Sequence, residues 1–363
     1  MSRSVTIERR TEVPTWLAYG APVFTILAAL LVATIPLLWL NINPVSVYWE
    51  LFISQPTSLT GLGDVLMTAL PLFFAGLAVY IPLKAGLWNI GAEGQLFVGA
   101  VFGSVIALHV DLPAVLLLPL MIGVAGVAGA VYGAIPGYLR AEHDVNEIIS
   151  SLMLTFTAVT FTGYLLRGPL QGSSGQSATD RFPDAAQLPS VLVPRLHVGI
   201  FLIVVAAVVA ALILNRTRLG YEITFIGANP TAAVQSGISK YKVYVIVFVL
   251  GGFLAGIAGI VEVSGVHGRF FEEFSPGYGF TAVAVALLGR NGVGRVLAAA
   301  LFFGILTAGG TTIAVTQNVP SALIDVIVAL TILFLLTAEF VKEHRIEFGR
   351  VDADAGVTPE GSS

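Results

Sequence analysis

Ten long apolar stretches dominate this chain. They run over about residues 17–40, 64–82, 85–109, 113–138, 146–166, 197–214, 242–263, 277–289, 296–315 and 321–340. A helix needs roughly 20 apolar residues to cross the hydrocarbon of a bilayer, so ten crossings consume about 200 residues. The 363 residues hold them with short connections to spare. The runs are continuous rather than alternating, which excludes a barrel and leaves helices as the only spanning element. Charged residues make up 11 % of the chain, against about 25 % in soluble domains, so too few remain to clothe a water-facing surface. The expectation is an all-α, polytopic membrane protein of about ten transmembrane helices, some of them broken. The eighth run is the shortest. Two four-span halves, the second to fifth and the seventh to tenth, suggest a pseudo-repeat. The run from Leu17 to Leu40 is too long for the apolar core of a cleaved signal peptide.

Lysine and arginine set the orientation of such a chain. With the N-terminus inside, ten crossings put fourteen of the 18 basic residues inside, leaving Arg167, Arg181, Arg195 and Arg269 outside. This assigns residues 1–16 to a cytoplasmic segment, 17–340 to the membrane domain and 341–363 to a disordered cytoplasmic tail. Both termini are then cytoplasmic and the protein sits in the plasma membrane. Trp16 and Tyr19 fall at the inner end of the first run, and Trp39, Tyr48 and Trp49 at its outer end, as in an aromatic belt. An extracellular loop of residues 167–196 is rich in Gly, Ser and Pro. It reads as a plain connector or as a docking surface. A cytoplasmic loop covers 215–241. Small residues four apart (Gly99–Gly103, Gly129–Gly133–Gly137, Gly252–Gly256) signal close helix packing.

Several chemistries are excluded. No G-x-x-x-x-G-K-[ST] sequence is present, and none of the lysines lies in a glycine-rich phosphate loop. The chain has no cysteine, its five histidines are scattered and it lacks H-E-x-x-H, so neither a thiolate nor a zinc site is expected. G-x-S-x-G is also missing, and no catalytic residues are assigned. The net charge of −4 gives no sign of nucleic-acid binding. What remains is a protein that moves or holds something within the lipid membrane.

Four polar segments interrupt the apolar runs. In Leu87–Ala100 (LWNIGAEGQLFVGA), Glu93 must justify roughly 2.5–3.5 kcal/mol of membrane insertion cost. Gly91 and Gly94 flank it, and Trp88, Asn89 and Gln95 add a ring and amides. A broken helix lining a cavity suits a polar solute, while helix-to-helix bonding is the plainer reading. In His143–Phe156, Asn146 and Glu147 open a helix on which Glu147, Ser150, Ser151 and Leu154 share a face. Asn and an early acid are also ordinary at a capped helix start. In Phe274–Arg295, Pro276, Gly277 and Gly279 predict a broken entry into the membrane. There Phe274, Tyr278 and Phe280 read either as rings for stacking or as an interface belt. In Gly227–Lys242, Asn229 caps and Pro230 starts a short helix that Gly237 ends.

Together LWNIGAEGQ, NEIISSLML, GANPTAAVQSGI and FSPGYGFTAVAVALLGR resemble the permease subunits of ABC importers for nucleosides and simple sugars. The likeness runs from about residue 20 to 340, and LWNIGAEGQ points to the nucleoside branch. The resemblance implies that the Gly227–Gly237 loop, with Asn229, Pro230, Ala232 and Ala233, is a coupling helix seated on an ATP-binding subunit. It also implies a second homologous permease and an extracellular substrate-binding lipoprotein. ATP and magnesium belong to the ATP-binding partner, leaving this chain without a cofactor. Substrate is then expected to meet Trp88, Asn89, Glu93, Gln95, Asn146, Glu147 and Phe280. A purine nucleoside is the first expectation. A pentose permease and an ion-coupled transporter using Glu93 and Glu147 are the alternatives. Many members carry Arg-Tyr at Val234-Gln235, Asn at Thr155 and Pro near Val293.

Overall fold

A computed structural model describes residues 3–9, 15–191, 196–317 and 319–350. Every apolar run contains a helix. The main ones are α1 (Thr15–Trp39), α4 (Leu59–Lys84), α5 (Ala92–His109), α6 (Ala114–His143), α7 (Glu147–Leu166), α8 (Ile200–Arg216), α11 (Lys240–Glu262), α12 (Tyr278–Leu288), α13 (Val293–Thr316) and α14 (Ser321–Glu343). Short helices α2 (Pro44–Trp49) and α3 (Gln55–Thr57) follow α1, while α9 (Arg218–Ala228) and α10 (Pro230–Gln235) form the loop before α11.

Among the described residues, six of these helices are long and apolar enough to cross a membrane, or seven if α8 and α9 count as one span bent by 69°. The expected ten crossings are therefore not met on this criterion, and two reasons are local. Thr217 leaves the helix to cap α9, accepting a hydrogen bond from the Gly220 N–H, so α8 stops short. Gly277 adopts φ +91° and the Ser275 hydroxyl accepts from the Gly277 and Tyr278 N–H groups. That turn starts α12 late and limits it to 11 residues, about 16 Å of rise against a hydrocarbon core of about 30 Å. The third run also begins differently from its expected helix. Residues 85–91 are non-helical, with Gly86 at φ +77°, and α5 starts at Ala92.

The expected disordered tail does not begin at 341. Helix α14 continues to Glu343, and β2 (His344–Arg350) pairs antiparallel with β1 (Arg3–Arg9), Arg3 opposite Arg350 and Arg9 opposite His344. This pairing satisfies backbone groups that a free tail would leave to water. Residues 351–363 lie outside the described residues.

Helix α4 is the axis of the fold and is buried along nearly all its length, with α11, α12 and α13 packed around it. Helix α11 in turn crosses α5 and α6 with backbone touching backbone. A Cβ added at Gly252 would sit 2.2 Å from the Gly129 carbonyl oxygen, one at Gly256 2.2 Å from the Ala125 oxygen and one at Gly99 2.3 Å from the Gly256 Cα. The small-residue spacing of the sequence thus marks the tightest crossings.

The 167–191 segment is held against the chain that follows α11. Phe182 N–H bonds to Gly268 O, Thr179 N–H to Phe270 O, and the Ser264 hydroxyl to Ala186 O. Arg167 closes on both carboxylate oxygens of Glu272. Residues 192–195 of this loop lie outside the described residues. Just before α8, His197 is buried in a slot walled by Gly199 and Gly265, where a Cβ at Gly265 would meet its Nε2 at 2.2 Å. Its Nδ1 accepts the Gly199 N–H at 3.1 Å, a bond only the neutral ring makes. Burial takes its pKa from the ordinary 6.5 down to about 4. Because the folded value is depressed, the stabilisation is complete above pH 6.5 and is lost as pH falls toward 4, by about 3 kcal/mol in all. His197→Asn keeps an acceptor near the Nδ1 position and takes up no proton. Thermal melts in detergent at pH 7, 5.5 and 4.5 should show a shallower acid loss in this variant, and an unchanged slope would clear His197 of the effect.

Candidate translocation site and inner contact surface

The non-helical 85–91 segment carries the polar residues of LWNIGAEGQ into the fold. Asn89 and Gln95 form a reciprocal amide pair: Asn89 Nδ2 donates to Gln95 Oε1 at 3.0 Å and Gln95 Nε2 to Asn89 Oδ1 at 3.1 Å. Asn89 also donates to the Ala78 carbonyl of α4 at 3.1 Å. Both residues are almost fully buried. Gly133 and Gly251 come up against the pair, since a Cβ at either would lie 3.1–3.2 Å from an amide nitrogen. In this state the two amides bond each other, so they lock α5 to α4.

Glu93 lies in the first turn of α5 and is 3 % exposed. Its Oε2 accepts the N–H of Gly279, in the first turn of α12. Close packing makes this contact specific, for a Cβ at Gly279 would lie 2.2 Å from the Glu93 nitrogen. Two helix N-termini therefore abut, and one carboxylate sits between them. The first N–H groups of a helix have no partner within it, and the Glu93 side chain satisfies that of Gly279, which accounts for a buried acid with no basic partner among the described residues.

Asn146 and Glu147 occupy the start of α7. Asn146 is exposed and its Oδ1 accepts the N–H groups of Ile148 and Ile149, an N-cap. Glu147 is buried, 3.2 Å from Arg140 Nε, and accepts the Trp88 N–H at 3.4 Å. The face of α7 that goes inward is Glu147, Ser151, Thr155, Ala158 and Thr162. Ser151 and Thr155 back onto Gly91 and Gly94. Of the rings, Phe274 packs edge-on against Phe97 and Phe270. Tyr278 is buried with its hydroxyl 3.3 Å from Glu262 Oε1, whereas Phe280 is 42 % exposed. The structure thus brings Trp88, Asn89, Glu93, Gln95 and Glu147 into one neighbourhood and leaves Asn146 and Phe280 outside on exposed surface.

A polar-lined cavity lies elsewhere. It measures about 590 Å³ and is walled by α4, α12, α13 and α14, with Thr68, Tyr278, Thr281, Thr307, Thr311 and Asp325 on its lining. Sequence reasoning passed over all of these except Tyr278. Asp325 is an acid near the start of the last apolar run, the kind of signal that singled out Glu93.

The loop between α8 and α11 folds as its residues dictate. Asn229 Oδ1 accepts the Ala232 N–H at 3.0 Å, Pro230 opens α10, Ala233 is fully buried and Gly237, at φ +85°, ends the turn. Gly227 presses on the end of α4: a Cβ there would meet the Lys84 carbonyl oxygen at 2.1 Å. Thr231, Val234 and Gln235 face outward, and Val234 is 50 % exposed.

No solved structure matches the chain. The family model described as the permease component of the branched-chain amino acid transport system matches residues 61–336. The glucose ABC transporter permease protein of Haloferax volcanii is 50 % identical over 99 % of each chain. The nucleoside ABC transporter permease protein of Lactococcus lactis is 32 % identical over 89 % of this chain and 91 % of its own. The guanosine ABC transporter permease protein of Bacillus subtilis is 34 % identical over 77 % of this chain and 82 % of its own. With its apolar helices packed around α4 and a matching family model over most of its length, the chain belongs to the membrane-spanning permeases of ABC importers.

Proposed function

We propose that the chain is one of two homologous permeases in an ATP-driven importer whose solute carries a hydroxyl-rich sugar ring. A monosaccharide is the leading reading, and the observation that carries it is the 50 % identity, end to end, with a permease named for glucose. That reverses the order in which the two solutes stood on LWNIGAEGQ alone. A nucleoside remains the second reading, supported by the two nucleoside-type permeases at 32 and 34 %.

The chain crosses the membrane ten times, with both termini inside. Pairing of β1 with β2 supports this, because a ribbon between the two ends requires them on one side and hence an even number of crossings. The two four-span halves are related by inversion. Helix α5, second in the first half, runs inside to outside, and α12, second in the other half, runs the opposite way. Both are preceded by non-helical chain, and their N-termini meet at Glu93. Interrupted helices at matching positions of inverted halves are where transporters build their solute pathways. An extracellular lipoprotein delivers solute, a partner subunit binds ATP and magnesium, and α10 receives the motion. Trp88, Asn89, Glu93, Gln95 and Glu147 form the hinge that this motion rearranges, exposing groups that bond one another in the present state.

The test uses vesicles containing the complete assembly. Glucose uptake should require ATP and stop when hydrolysis is blocked by vanadate, and glucose should stimulate the ATPase activity more than guanosine does. Uptake that continues under vanadate and collapses with the ion gradient would establish secondary transport instead. The reverse solute ranking would select the nucleoside.

A further inference from the structure

We propose that the cavity between α4, α12, α13 and α14 is the vestibule in which the solute's sugar ring is bound, with Asp325 accepting ring hydroxyls and Thr281 and Thr307 completing the contact. This assignment rests on the importer reading above and names the site at which the solute sits.

The cavity has the size and lining for it. About 590 Å³ falls within the roughly 300–1,000 Å³ of small-molecule sites. Its position follows from the lengths of its walls. Thr68 lies in the third turn of α4, and Asp325 is the fifth residue of α14, so both are in the outer halves of their helices. Thr307 and Thr311 fall in the second half of α13, again toward the outside. Tyr278 and Thr281 belong to the first turn of α12, which starts near mid-membrane because the helix is half the length of a span. The cavity therefore runs from the outer surface down to the first turn of α12, and the next residue along that turn, Gly279, is the one bonded to Glu93. A solute on this floor touches the moving joint.

The lining also has unmet hydrogen-bonding capacity. Among the described residues, Asp325 and the hydroxyls of Thr281 and Thr307 have no hydrogen-bond or ion-pair partner. Thr68 and Thr311 donate back to the carbonyls of Asp64 and Ala308 and keep their oxygen lone pairs free. An ionised carboxylate is acceptor-only, and adjacent ring hydroxyls offer two donors in the spacing of its two oxygens. Threonine hydroxyls both donate and accept. The remaining wall is aliphatic (Leu72, Ala308, Val328 and Ile332), which suits the C–H faces of a sugar. Tyr278, the one ring present, already bonds Glu262. The wall therefore recognises the adjacent hydroxyls that a monosaccharide and the sugar of a nucleoside both carry, and makes no stacking site for a base. A charge in the lipid-facing part of α14 would be costly, whereas one in a wet vestibule is not.

Because the chain has no cysteine, Thr307→Cys gives it a single thiol. In membrane vesicles holding the complete transport complex, N-ethylmaleimide should label that thiol, and saturating glucose or guanosine should slow labelling at least fivefold. Asp111→Cys, on the exposed link between α5 and α6, should be labelled at an unchanged rate. Asp325→Leu should raise the KM for uptake at least tenfold, with Asp325→Asn intermediate. Protection by glucose alone identifies a monosaccharide, by guanosine alone a nucleoside, and by both the adjacent hydroxyls that the two carry. A Thr307→Cys thiol that never labels, or labelling indifferent to both solutes while wild-type uptake proceeds, overturns the vestibule and leaves the importer reading standing. A wild-type complex that moves neither solute removes the importer reading itself. Since Thr307→Cys is nearly isosteric, the labelling result stands even if Asp325→Leu does not fold.

Discussion

Gly252→Leu is expected to leave no recoverable folded protein. In the present packing even a single methyl at this position would lie 2.2 Å from the carbonyl oxygen of Gly129, and real Cβ contacts essentially never fall under 3.0 Å. The obstacle is backbone, so no side chain can rotate out of the way, and α11 and α6 must separate. Separation cannot be local, because Gly256 and Gly259, one and two turns further along α11, hold the same relation to Ala125 of α6 and Leu96 of α5. Each displaced contact surrenders dispersion along a seam where lipid offers no hydrophobic penalty to hold the helices together. Overpacking in ordinary cores costs about 1–3 kcal/mol. Here the isobutyl group has no accommodating cavity, and the loss extends along three close contacts at two helix crossings. Gly252→Ala should already lower the melting temperature in detergent, and Gly252→Leu should give only aggregate on size exclusion. Gly123→Ala is the matched control: it lies on α6, where an added Cβ meets nothing within 4 Å, and alanine favours a helix over glycine by about 1 kcal/mol. A monodisperse Gly252→Leu protein with wild-type stability would show that the crossing yields more readily than backbone contact allows.

What the sequence made legible was local. Asn229-Pro230 and Gly237 delimit α10 because capping, a preset φ and a positive φ are each properties of one residue. The glycine spacings marked the crossings because a missing Cβ is visible in the sequence itself. The break before α5 was readable from Gly91 and Gly94, although its place was not: the chain leaves the helix at Lys84 and resumes at Ala92, so the non-helical part precedes Glu93. Partners were harder. Asn89 and Gln95 are six residues apart, a spacing that places them together only because Leu87 to Gly91 is not helical. Arg140 reaches Glu147 across a turn that depends on Asp144 at φ 53°. Phe274 and Tyr278 looked like rings open to a ligand, yet burial against Phe97 and Glu262 absorbs both. The vestibule was illegible for a further reason. Its threonines come from three helices far apart in the sequence, and only the packing around α4 brings them to one wall.

Val234→Asp is the prediction that probes how force enters. On the proposed docking of α10, Val234 is the exposed apolar group of a six-residue helix whose other side is anchored by fully buried Ala233 and capped by Asn229. An aspartate there would be carried into the interface with the ATP-binding partner without a matching cation. A charge buried unpaired on association costs several kcal/mol, and 1.4 kcal/mol is a factor of ten in affinity, so assembly should weaken by at least a hundredfold. The free chain should be unaffected, since Val234 is half exposed and touches no cluster that stabilises the fold. Uptake should therefore vanish while yield, melting temperature and protection of the Thr307→Cys thiol by solute persist. Motion of α10 reaches the site through a short path. Gly227, two residues before Asn229, bears on the Lys84 carbonyl, and the chain from there runs through Gly86 to Asn89 and Glu93. Spatial continuity is not coupling, so a second variant tests the joint. Gly227→Val should push α9 off the end of α4 and uncouple ATPase turnover from uptake, while the partner still co-purifies. Normal transport in Val234→Asp would mean that the ATP-binding subunit engages some other part of the inner surface, and normal transport in Gly227→Val that its motion reaches Glu93 by another route.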